Sequence, residues 1–157
     1  MSQFKLKSNS ESETFEFGQK VGREIAEPVT IFLSGTLGAG KTRFVQALAS
    51  GLEIDPATVN SPTFTIMVPH TGRLTLLHVD AYRIKDLDEA EQLGIDDWVE
   101  DGCVLVVEWA EKIEAILPAP DLKIQIQQIG ESSRLFEIET KTDSGAVILE
   151  SRQIRND

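Results

Sequence analysis

Gly35-Thr36-Leu37-Gly38-Ala39-Gly40-Lys41-Thr42 follows the apolar run Val29-Thr30-Ile31-Phe32-Leu33 and leads into Arg43-Phe44-Val45-Gln46-Ala47-Leu48-Ala49. The octet fits the phosphate-binding P-loop pattern, which has physical meaning only between a strand and a helix. Both flanks meet that condition. Val29 to Leu33 is short, partly β-branched and bounded by Pro28 and Gly35, which predicts a central parallel strand covered on both faces. Phe44, Val45, Leu48, Ala49 and Leu52 share one face at helical spacing, so residues 43–52 are predicted to form a helix. The loop glycines let successive N–H groups turn toward an anion, and the helix adds the positive end of its dipole. On this reading Gly35, Thr36, Leu37, Gly38, Ala39 and Gly40 form a cradle for a nucleoside triphosphate. Lys41 would neutralise its β- and γ-phosphates, and Thr42 would offer a hydroxyl to magnesium.

The chain has 157 residues, 41% of them hydrophobic, enough for one domain with a real core. A formal charge of -11 argues against a surface that binds nucleic acid broadly by neutralising phosphates. Any RNA contact would need a local patch or a partner protein. The single cysteine, Cys103, opens an apolar stretch and reads as a reduced core thiol, which excludes a disulfide framework. The start Met1 to Lys7 lacks a long apolar segment, and no stretch is long enough to span a bilayer, so a cytoplasmic protein without a membrane partner is expected.

Working outward, Ser10 followed by Glu13 reads as a capping box for a helix over 12–26, with Phe17, Val21 and Ile25 recurring every four residues. Phe64 to Val68 and Leu74 to Val79 are predicted strands joined by a turn at Pro69 to Arg73. The acidic segment Asp86 to Asp101 shows a broken helical pattern interrupted by Gly94, and its acidity is read as a solvated face. Residues 103–108 predict a second buried strand, Ala110 to Leu117 a short helix, and 122–126, 134–140 and 146–150 further strands. Ser151 to Asp157 reads as a frayed tail.

A P-loop ATPase needs a carboxylate near the end of a strand beside the loop. Glu108 ends one apolar strand and Asp80 another, and parallel sheets bind ligands at the carboxyl ends of their strands. Glu108 is the stronger candidate for magnesium, and Asp80 is expected to share the metal or polarise the attacking water. Either acid could instead cap the next helix. Asn60 to Thr65 has the hydroxyl-rich composition of a nucleotide-sensing switch, with Thr63 the stronger candidate over Ser61, although a Ser-Pro turn into a strand has the same composition. His78 lies two residues before Asp80 and is read as packing or support, since no ligand spacing suggests zinc. Trp109 is read as a structural anchor, with a place near the nucleotide or a partner as the alternative, and Arg134 as a solvated strand residue, with a charge near the nucleotide as the alternative.

Taken in order, Gly35 to Thr42, Ser61-Pro62-Thr63-Phe64, His78-Val79-Asp80-Ala81-Tyr82-Arg83, Leu93-Gly94-Ile95 and Glu108-Trp109 resemble the bacterial TsaE (YjeE) family over most of the chain. The Ser-Pro-Thr-aromatic and His-x-Asp-x-Tyr-Arg pieces are far more specific than the P-loop. One departure is Thr36, where many relatives are expected to carry an acid. The resemblance implies one P-loop α/β domain over 1–157, with a mixed, mainly parallel central sheet flanked by helices. It also implies a magnesium-dependent ATPase that acts with TsaB and TsaD to make threonylcarbamoyladenosine in transfer RNAs reading codons that begin with A. TsaD would transfer the group, and ATP hydrolysis would sustain or reset the cycle. Two other classes fit the same residues: a small-molecule kinase using Asp80 as base, though Arg73 and Arg83 stand isolated and make no basic lid, or a module that binds ATP without hydrolysing it. The choice of ATP rests on the resemblance, because no base-reading motif is present.

Overall fold

A computed structural model describes residues 2–36, 38–61 and 65–150. The central sheet has seven strands in the order β1-β7-β6-β2-β5-β4-β3. Its strands are β1 (Ser2–Ser8), β2 (Thr30–Ser34), β3 (Met67–His70), β4 (Leu76–Asp80), β5 (Val104–Glu108), β6 (Leu122–Gln128) and β7 (Arg134–Thr140). The four central strands β6, β2, β5 and β4 run parallel, while β3, β7 and β1 add antiparallel edges. This is the mixed, mainly parallel sheet flanked by helices that the resemblance implies.

Helices α1 (Glu11–Glu24) and α2 (Lys41–Gly51) cover one face. Ser10 caps α1 by accepting the Glu13 N–H at 3.1 Å, and the Glu13 carboxylate reaches back to the Asn9 N–H at 2.8 Å. The face they cover packs Ile31, Leu33, Val106 and Ile124 beneath a cluster of Phe17, Phe44 and Phe136, whose ring centroids lie 4.9–6.0 Å apart. Each fully buried side chain of this size contributes about 1.5–3 kcal/mol. The two helices approach closely because of small residues: a Cβ on Gly22 would lie 2.1 Å from the Leu48 carbonyl, and one on Gly51 2.3 Å from that of Gln19. The opposite face packs Phe32, Leu77, Val79, Leu105 and Val107 against α3 (Leu87–Glu91), α4 (Ile95–Asp101) and the turns after β5. Both faces of β2 are therefore covered, as a central parallel strand requires.

Several elements differ from expectation. The segment Ala146 to Glu150, read as a strand, belongs to α5 (Asp143–Glu150). Thr142 explains the difference, since its Oγ1 accepts the Gly145 N–H at 3.1 Å, and Gly145, Ile148 and Leu149 then fall on one buried face. Local capping and burial outweigh the strand preference of Val147 and Ile148. Ala110 to Leu117 forms two short 3-10 turns instead of one helix, whereas Gly94, in the left-handed region at φ 74°, separates α3 from α4 as the broken pattern predicts. β3 begins at Met67 and runs through Pro69 and His70, which the sequence assigns to a turn. The tail 151–157 and the residues Pro62, Thr63 and Phe64 lie outside the described residues, so the expected strand start at Phe64 and the fraying do as well.

Candidate functional site

The loop from Gly35 to Gly40 emerges from β2 and feeds α2, and its backbone explains its glycines. Gly38 and Gly40 have φ values of 81° and 103°, in the region that side chains disfavour. Ala39 is buried and donates its N–H to the Thr36 carbonyl at 3.0 Å. Leu37, a predicted member of the cradle, lies outside the described residues, as does Thr63. Thr36 and Gly38 are exposed, and Thr42 is the second residue of α2 and half-buried.

Lys41 is only 8% exposed, and its charge is met on three sides. Its Nζ donates to the Gly35 carbonyl at 2.7 Å, lies 3.9 Å from Glu108 Oε1 and sits 5.0 Å from the centroid of the Trp109 ring. A buried ammonium requires such partners. The strand register brings the predicted acid to it: Leu33 at the end of β2 is level with Glu108 at the end of β5, and Glu108 is level with Asp80 at the end of β4. The peptide after Asp80 reinforces this alignment, the Ala81 N–H donating to the Glu108 carbonyl at 3.0 Å.

The two carboxylates are held differently. Glu108 Oε2 pairs with His78 Nε2 at 2.7 Å, and His78 is fully buried with no partner on Nδ1. A bare Nδ1 in an apolar setting is tolerable as an acceptor and costly as a donor, so the ring carries its proton on Nε2 and donates to Glu108. His78 is thus a support for Glu108. Asp80 Oδ1 accepts the Tyr82 N–H at 3.0 Å, and the Asp80 N–H donates to the carbonyl of Ile66 at 2.7 Å. Ile66 is β-branched yet left-handed, with φ 64°, immediately before β3. Trp109, at φ 59°, is the second left-handed residue beside the site, and its ring lies 5.0 Å from that of Tyr82 as well as against Lys41.

Sequence reasoning missed two contacts. Arg134, read as solvated, donates from Nε to the Ala39 carbonyl at 2.8 Å and so touches the glycine-rich loop. The two residues are 95 apart in the chain, and no local pattern joins them. Arg73, which the sequence places in no basic lid, donates from its guanidinium to the carbonyls of Ile25, Gly22 and Gly51 at 2.7, 2.9 and 3.4 Å.

Among the described residues, no group of three or more His, Cys, Asp or Glu side chains converges as a metal cage. The oxygen donors near the loop are the Thr42 hydroxyl and the Asp80 and Glu108 carboxylates, a hard set that suits magnesium held jointly with phosphates. No helix among the described residues is long and apolar enough to cross a membrane.

Comparison with known proteins agrees with this architecture. The family model "Threonylcarbamoyl adenosine biosynthesis protein TsaE" matches residues 8–136. The chain is 41% identical over 136 residues to the tRNA threonylcarbamoyladenosine biosynthesis protein TsaE of Bacillus subtilis, covering 85% of this chain and 84% of that one. It is 38% identical over 127 residues to the protein of the same name from Treponema pallidum, covering 81% and 93%. The crystal structure of Bacillus subtilis YdiB superimposes with a TM-score of 0.75 at 30% identity, covering 95% of this chain and 93% of that one. The loop, the sheet order and these likenesses together make the chain a member of the TsaE family of threonylcarbamoyl adenosine biosynthesis proteins.

Proposed function

We propose that residues 1–157 form one cytoplasmic ATPase domain that works with TsaB and TsaD in threonylcarbamoyladenosine modification of transfer RNAs reading codons that begin with A. The observation that carries this reading is the meeting of Lys41 and Glu108 at 3.9 Å, with Asp80 in register beside them, at the mouth of a glycine-rich loop. Gly35 to Gly40 cradle the phosphates through backbone N–H groups, and Lys41 leaves the Gly35 carbonyl to bind the β- and γ-phosphates. Thr42 and Glu108 would hold magnesium, Glu108 directly or through water, with Asp80 sharing its shell or polarising the attacking water, and the ion would neutralise charge on the phosphate oxygens. Thr63 belongs to the segment proposed to sense the γ-phosphate.

The reaction is the attack of water on the γ-phosphorus, with cleavage of the β–γ bridge to give ADP and phosphate. A chain of net charge -11 contributes little attraction for transfer RNA, so the energy serves chemistry on a partner, and the RNA is reached through the complex. The test follows ATP labelled in the γ-phosphate, with and without TsaB and TsaD. Phosphate release that rises with the partners and vanishes in Lys41→Ala is expected. Label transferred to a small molecule, or normal modification of transfer RNA without this protein, overturns the reading.

A further inference from the structure

We propose that Arg134 is a positioning residue that aims one peptide of the glycine-rich loop at a phosphate, an inference that rests on the nucleotide-binding reading above. Arg134 opens β7, and its guanidinium spans two segments: Nε donates to the Ala39 carbonyl at 2.8 Å, while Nη1 donates to the Ser133 carbonyl at 3.1 Å and that of Glu131 at 3.5 Å. The bond to Ala39 has a consequence on the far side of the peptide. Because the unit is planar and trans, the Ala39 oxygen and the Gly40 N–H point in opposite directions from one plane. An arginine that draws the oxygen toward β7 turns the Gly40 N–H away from β7, as a donor to the loop's ligand.

Such restraint is needed at this position. Gly40 sits at φ 103° and ψ 23°, and a glycine moves between left- and right-handed conformations at little cost. It is the N-cap of α2, where no side chain caps the helix. The Ala39 N–H is already committed to the Thr36 carbonyl at 3.0 Å, so the turn fixes one side of Ala39, and its carbonyl takes a donor from outside the loop. That donor comes from the antiparallel half of the sheet. Arg134 also fixes a positive charge at the loop of a strongly acidic chain, and its Nε would lie 3.6 Å from a Cβ on Gly40.

The test measures binding of ADP and of inorganic pyrophosphate to the full chain by calorimetry, for the wild type, Arg134→Lys and Arg134→Met. Arg134→Met is expected to weaken both ligands on the order of tenfold, the loss of one charge-assisted hydrogen bond. Arg134→Lys, which keeps a charge and a donor, should fall between. In ¹⁵N-glycine spectra, the Gly40 amide should shift with pyrophosphate in the wild type and lose that response in Arg134→Met. Affinities within twofold of wild type and an unchanged Gly40 response overturn the proposal. So does a loss of affinity matched by loss of fold in both variants, which assigns Arg134 a purely structural role. A wild type that binds neither ligand sinks the nucleotide reading itself, whereas a binding wild type with unaffected variants sinks only the role of Arg134.

Discussion

At the scale of single residues, the candidate site depends on how its carboxylates are held. Glu108 has one oxygen toward Lys41 and the other on His78, so the histidine selects the rotamer that faces the loop. His78→Leu should lower ATP hydrolysis by roughly tenfold while leaving ADP affinity within twofold, since a hydrogen bond to a charged group contributes about 1.5–3 kcal/mol. His78→Asn, which keeps a donor, should recover part of the rate. Equal losses in both variants would show that packing, not orientation, is the role of this side chain. The placement of Glu108 and Asp80 at neighbouring strand ends was legible in the sequence because each acid ends an apolar run. The partner of Glu108 was half legible: His78 was readable as support, but the register that selects Glu108 over Asp80 is tertiary.

Among the elements, the strand and helix that flank the glycine-rich loop could be read almost to the residue, whereas α5 and β1 were not. A four-residue apolar run suits a strand or a buried helix, and at 146–149 the arbiter was Thr142, whose cap depends on its own bond to Asp121 at 2.6 Å. β1 alternates Phe4-Lys5-Leu6-Lys7 on an edge, a period-2 strand signal carried by only two apolar positions. Arg73 shows the same limit, because its three acceptors come from the C-terminal ends of α1 and α2 and the link between α1 and β2. The charge meets the negative ends of both helix dipoles. Arg73→Ala should therefore cost about 1–3 kcal/mol of stability in urea unfolding, with Arg73→Lys recovering a fraction. A midpoint shift too small to measure would mean that solvent replaces those bonds.

For the whole molecule, the two histidines lie on one face of the β3–β4 pair and both bury an unpartnered nitrogen. Burial, aided by the nearby His78, holds His70 below its ordinary 6.5. A histidine kept neutral in the folded chain contributes its full stability above pH 6.5 and loses it as pH falls, because the unfolded chain takes up the proton first. Melting temperature should drop between pH 7 and pH 5, and His70→Gln should drop less. An identical drop would assign the acid sensitivity elsewhere. Cys103 is pushed up to about 11 by desolvation and stays an inert thiol at neutral pH, in keeping with a core residue.

The close approach of α1 and α2 sets a mechanical condition on the site. Where backbones meet through Gly22 and Gly51 there is no side-chain layer to slide or compress, so the two helices transmit force as one rigid plate. Thr42 and the first turn of α2 belong to that plate, and Asp80 and Glu108 belong to the sheet beneath it. The glycine-rich loop is the link from β2 in that sheet to α2 in that plate, so any displacement of plate against sheet is carried at this junction and not between the two helices.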